Sequence, residues 1–217
     1  RYPGSDETIA VPYPLFAVTR FFVPGYGQID GENNTRRLTI YPSFNYIGKR
    51  DSSKSNELDG MKDVDWALEA GIGISYRYDW IRGFAEVRQG FNGYSGQVAQ
   101  FGIDAIASPT EDLELRFGPR AGWGSQNYME TYFGITSNEA AKSPLYDKAY
   151  KADAGFNTVG LAGSATYDLT EKWKLHALVG WDRLIGDAGD SPIVKAGSEN
   201  QFYGGAGLTY RFAFDLF

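Results

Sequence analysis

The sequence predicts an all-β chain folded as a transmembrane, antiparallel, up-and-down β-barrel of about ten strands. Three observations predict it. Apolar and polar residues alternate with period two in eight separate segments, which is the signature of strands with two unlike faces. One face of every segment carries no charge while the other collects charges of both signs. The links between segments alternate between short and long.

The alternation is clearest from Trp66, where Trp66, Leu68, Ala70, Ile72, Ile74, Tyr76 and Tyr78 share a face opposite Glu69, Gly71, Gly73, Ser75 and Arg77. It recurs from Leu113 (Leu113, Leu115, Phe117, Pro119, Ala121, Trp123), from Trp173 (Trp173, Leu175, Ala177, Val179, Trp181) and from Phe202 through Leu208, Tyr210 and Phe212. Residues 36–47, 80–91, 97–107 and 158–169 read the same way. Opposite faces carry Arg82, Glu86, Arg88, Asp104, Glu114, Arg116, Arg120, Asp168, Lys174, Asp182 and Arg211. Tight turns are expected at Tyr78–Trp80, Ser108–Glu111 and Thr170–Lys172, and the other links at 48–65, 91–96, 125–157 and 184–200. Residues 9–24 read as one long strand or two short ones. Closure and parity favour ten strands, with eight and twelve left open.

Composition narrows the function. The 217 residues suit one barrel domain spanning 1–217. With no Cys, disulfides, thiolate metal sites and Cys nucleophiles are excluded. A net charge of -6 argues against a nucleic-acid partner. Mean hydropathy is -0.38 and no apolar run reaches the roughly 18 residues of a membrane helix. A polar chain can still cross a bilayer as a barrel, whose lumen and loops hold the polar residues. No leader precedes Arg1, which fits a processed chain.

Alternation alone does not say which face lies inside; a soluble barrel would bury the apolar one. The aromatics decide for the membrane. Trp173 and Trp181 lie eight residues apart, roughly 20 Å along a tilted strand and near the spacing of interfacial girdles. Trp66, Tyr76, Tyr78, Trp123, Tyr210 and Phe212 complete the expected girdle.

Glu69, Arg77, Arg82, Glu86, Arg88, Glu114, Arg116 and Arg120 are the expected lumen charge network, with Glu86, Arg88, Glu114, Arg116 and Arg120 on neighbouring strands. Such charges form a selective pore or a self-satisfied plug, and the narrow bore of a ten-stranded barrel favours the plug. The single His, His176, has no triad or metal-ligand spacing around it and reads as a lumen hydrogen-bonding group. No catalytic residue, cofactor or metal is expected. The link 125–157 holds Tyr128, Met129, Tyr132 and Phe133, then Thr136 to Glu139 as a capping box opening a short helix. Its aromatics form either a partner surface or a lid packed inward. Asp187, Asp190 and Ser191 are candidate binding-loop oxygens, with a plain Asx/Pro turn as the simpler reading over Ca²⁺.

Several stretches in order resemble the MipA/OmpV family of outer-membrane proteins. They are Tyr2-Pro-Gly-Ser-Asp-Glu7, Leu68-Glu-Ala-Gly71, Ala85-Glu-Val-Arg-Gln89, Gly118-Pro119, Tyr128-Met-Glu-Thr-Tyr-Phe-Gly134, Arg183-Leu-Ile-Gly-Asp-Ala-Gly-Asp-Ser-Pro-Ile-Val194, Ser198-Glu-Asn-Gln-Phe202 and Leu208-Thr-Tyr-Arg-Phe212. The segment Ala213–Phe217 departs from the family pattern. The resemblance implies an outer-membrane barrel in contact with lipid. It implies a non-enzymatic scaffold joining a murein lytic transglycosylase to a peptidoglycan synthase, with links to adhesion and antibiotic response. A small-solute channel or antibiotic-binding barrel is the alternative; a membrane-embedded hydrolase using His176 is a third reading.

Overall fold

The computed structural model describes residues 3–5, 20–23, 27–30 and 38–210. Residues 6–19, 24–26, 31–37 and 211–217, with Arg211 and Phe212 among them, lie outside the described residues. Ten strands are described. β1 (Arg20–Val23) and β2 (Gly27–Asp30) form a separate antiparallel hairpin. β3 (Leu38–Ile47), β4 (Ala67–Tyr78), β5 (Ile81–Asn92), β6 (Gln97–Thr110), β7 (Leu113–Gly124), β8 (Gly155–Asp168), β9 (Trp173–Leu184) and β10 (Asn200–Tyr210) form one sheet. Each of these eight pairs antiparallel with its sequence neighbour, in the order β10 to β3. All eight segments expected from the alternation are strands.

The sheet is curled. In a flat sheet the strands β4 and β7 would stand about 14 Å apart, yet Arg77 Nη1 of β4 lies 2.9 Å from Glu114 Oε2 of β7. Apolar residues point away from the concave side. Ile72, Val179 and Phe202 are 67%, 66% and 70% exposed, whereas Glu69 and Asp104 on the concave side are 2% and 1% exposed. The two-faced pattern thus folds with its charges inside.

Short links gather at one end: Asp79-Trp80, Glu111-Asp112 and residues 169–172. Asp79 has φ 52, a left-handed conformation that Asp tolerates in tight hairpins. The β6–β7 turn falls two residues later than the sequence suggested. β6 runs on through Ser108 and Pro109 to Thr110 because an irregularity in register between Ala107 and Thr110 absorbs the proline. The other end carries the links 48–66, 125–154 and 185–199, with the short link 93–96 between them.

Glycines on the concave side make room for large neighbours. Phe84 of β5 faces Gly102 of β6 in register, as Tyr41 of β3 faces Gly73 of β4 and Tyr203 of β10 faces Gly180 of β9. A Cβ at Gly102 would run into the Phe84 ring. Gly102→Val is therefore expected to destabilise the sheet by about 1–3 kcal/mol, read as a lower urea midpoint in detergent, whereas Gly83→Ala, with open space around it, is expected to leave the midpoint in place.

Candidate functional site

The concave side holds ion pairs, but not one network. Register divides them along the strands. Nearest the loop end, Arg88 bonds Glu69 (2.9 Å) and Glu86 (2.6 Å). In the middle, Asp104 accepts from Arg82 (3.2 Å) and Arg120 (2.6 Å), and both guanidiniums sit 5.0 Å from the Phe84 ring centre. Toward the turn end, Glu114 takes Arg77 (2.9 Å) and Arg116 (2.6 Å). Lys174 meets Asp168 at 2.8 Å. The expected single network of Glu86, Arg88, Glu114, Arg116 and Arg120 is thus corrected to three triads. The upper triad sets two carboxylates on one guanidinium, and the middle and lower ones each two guanidiniums on one carboxylate.

Neutral donors finish the job. Glu86 accepts from Tyr41 (2.9 Å) and Ser43 (2.8 Å), and Glu69 from Asn45 (3.0 Å) and Tyr94 (2.7 Å). Sequence reasoning did not select these residues, although Tyr41, Ser43 and Asn45 all fall on the inward positions of β3. His176 lies between two threonines, 2.9 Å from Thr209 Oγ1 and 3.2 Å from Thr166 Oγ1, a hydrogen-bonding place within the lumen.

The long links fold together as a cap with its own apolar core. Short helices α1 (Gln126–Phe133), α2 (Ser137–Ala140), α3 (Gly186–Gly189) and α4 (Pro192–Ala196) build it. The expected capping box is formed at α2, where Thr136 and Glu139 bond reciprocally; the sequence reading missed α1, α3 and α4. Tyr128, Met129, Tyr132 and Phe133 are buried against Tyr94, Val98, Leu184 and Val194, beside a second cluster of Leu58, Met61, Ile135, Tyr146 and Ile193. Of the two readings, then, the aromatics pack inward, and the partner surface expected over these four residues is not on offer. They sit one and four residues apart on α1, so burying that stripe buries them all. Tyr94, Tyr128 and Tyr132 have ring centres 5.1–5.6 Å apart.

Polar bonds knit the links. Arg50 Nη1 donates to the Tyr132 carbonyl (3.2 Å), Ser191 Oγ to the Phe133 carbonyl (2.7 Å) and Tyr150 to the Asp187 carbonyl (2.8 Å). The Asp187 carboxylate accepts from the Asp153 amide at 2.7 Å, and Asp190 is exposed. Asp187 and Ser191 therefore serve loop docking. Among the described residues no group of three or more acidic or His side chains is placed to hold a metal ion. At the strand ends, Trp66 and Phe202 at the loop end and Tyr76, Tyr78, Trp173 and Tyr210 at the turn end are exposed, while Trp123 and Trp181 are half-buried.

Burial raises the pKa of Tyr94, Tyr128 and Tyr132 above the usual phenol value, and the Glu69 carboxylate adds to it. A phenol held neutral by the fold costs nothing at lower pH. Above pH 10 the unfolded chain ionises first, so stability drains away as pH rises. The cap is expected to loosen in alkali before the strands do. Tyrosine absorbance at 295 nm should show a delayed set of phenols whose ionisation coincides with proteolytic opening of 125–154.

Comparison with known proteins adds the family. Residues 1–212 match the family model described as MltA-interacting protein MipA. The chain is 29% identical over 192 residues to the MltA-interacting protein of Escherichia coli (strain K12), covering 87% of this chain and 73% of that one. It matches that of Shigella flexneri to the same extent. With the all-β sheet and a match running through almost the whole sequence, the chain belongs to the family of MltA-interacting protein MipA.

Proposed function

We propose that this protein is a non-enzymatic outer-membrane β-barrel that docks a murein lytic transglycosylase, and with it a peptidoglycan synthase, at the outer membrane. The observation that carries the membrane half is the inversion of burial: the convex side is apolar and exposed while Glu69 and Asp104 are buried inside. Water penalises such a surface and a bilayer rewards it. Strands of 10–14 residues are long enough to cross. The transglycosylase rests on the relatives' name, MltA-interacting protein, and the synthase on the family resemblance alone. With the cap turned outward by the short-turn rule for such barrels, the periplasmic side offers the exposed turns bearing Asp79, Trp80, Glu111, Asp112 and Glu171.

The ion-paired triads and the cap favour a plugged barrel over an open channel, and His176 between two threonines favours no catalytic role. Affinity capture with the detergent-solubilised chain tests the reading: a lytic transglycosylase should co-purify, and its absence from both native envelopes and reconstituted mixtures would overturn the docking role. Planar bilayers should stay electrically silent; steady open currents would favour the channel.

A further inference from the structure

Between the upper triad and the cap lies a cavity of about 530 Å³, within the size range of small-molecule sites. Its charged lining is Glu69, Glu86, Arg88 and Asp182, a surplus of anions. Tyr128 and Tyr203 supply aromatic surface to the same cavity, Tyr203 lying over Gly180 on the inward side of β10. Glu69 and Glu86 already share Arg88 and four neutral donors. Asp182 has no such company. It sits over Gly160, whose missing side chain leaves room for it, and its Oδ1 is buried without a hydrogen-bond partner. A buried carboxylate oxygen without a donor is costly, and an ionised carboxylate accepts most strongly from a cationic donor.

The geometry points to a binding site for a small organic cation with an apolar body, its ammonium or guanidinium group held by Asp182 and its body against Tyr128 and Tyr203. Aromatic faces favour cations as well as apolar groups, so the two parts of the wall select one ligand type. This site is independent of the docking role, because it lies inside the barrel and uses none of the turn residues.

The test is titration calorimetry on the full chain in detergent with three probes of one shape: phenethylammonium, the neutral alcohol 2-phenylethanol and the anion phenylacetate. Phenethylammonium is expected to bind saturably, at least tenfold more tightly than the alcohol, and phenylacetate more weakly than either. Asp182→Asn, with folding checked by heat-modifiable migration, should cost the cation at least tenfold and leave the alcohol unchanged. Should that variant fail to fold, Arg120→Gln removes a guanidinium whose charge acts on Asp182 while Asp104 keeps Arg82, and should tighten phenethylammonium several-fold. Equal binding of cation and alcohol, no binding at all, or a cation affinity indifferent to both variants overturns the site.

Discussion

Asp104→Leu is expected to destabilise the barrel by roughly 3–5 kcal/mol, the usual loss when one partner of a buried ion pair is removed. Asp104 is almost wholly buried and its carboxylate bridges Arg82 and Arg120. Without it the two guanidiniums beside the Phe84 ring lose the carboxylate they share. The cost is the stranded charge, not the lost attraction. Replacing all three residues by Leu, Met and Met should therefore return most of the stability, because apolar side chains would pack on Phe84 and nothing ionised would remain. Urea unfolding in lipid vesicles, followed by tryptophan emission, measures both. If the triple variant is no more stable than the single one, the triad is valued for its attraction and the account of the lumen is wrong.

Phe133→Ala is expected to have the opposite spatial signature. Truncating a fully buried aromatic costs about 3–5 kcal/mol, and Phe133 has no solvent exposure in the cap core. The cap is joined to the strands by the Tyr94–Glu69 hydrogen bond and by Val98 and Leu184 at the strand ends. The sheet itself rests on its strand ladders and ion pairs. The variant should thus expose residues 125–154 to protease and speed their amide exchange, while β3 to β10 keep native protection. Loss of protection in the strands as well would mean that cap and barrel unfold as one unit.

The strands were legible because a two-faced ribbon must alternate, and every one of the eight segments does so. Which residues share a side was legible in the charges: Glu69, Arg88 and Asp104 fall opposite Leu68, Val87 and Ile103, although Phe84 and Ile106 share the charged side. The grouping into triads was not legible. It depends on stagger between strands, which brings Arg88 to Glu69, Arg82 and Arg120 to Asp104, and Arg77 to Glu114, and stagger leaves no mark on a single strand's pattern. The cap was legible only at Thr136–Glu139, where a local capping box writes itself in the sequence. Arg50 and Tyr94 gave no signal, because their partners, the Tyr132 carbonyl and Glu69, come from links and strands remote in the chain. The β6–β7 turn was misplaced by two residues because Pro109 reads as a terminator, whereas an irregular ladder accommodates it.

Among the described residues, every strand from β3 to β10 pairs with the strand before or after it in the chain. Such a wall can be zipped up hairpin by hairpin, and even its longer links add little to the cost of closure because that cost grows only slowly with loop length. The cap obeys another rule, for it joins Leu58, Phe133 and Ile193, which lie far apart along the polypeptide. It cannot mature until the β3–β4, β7–β8 and β9–β10 hairpins all stand side by side. During biogenesis the lid is consequently the last part to set, and a nascent wall stays uncovered at its loop end until all eight strands are in place.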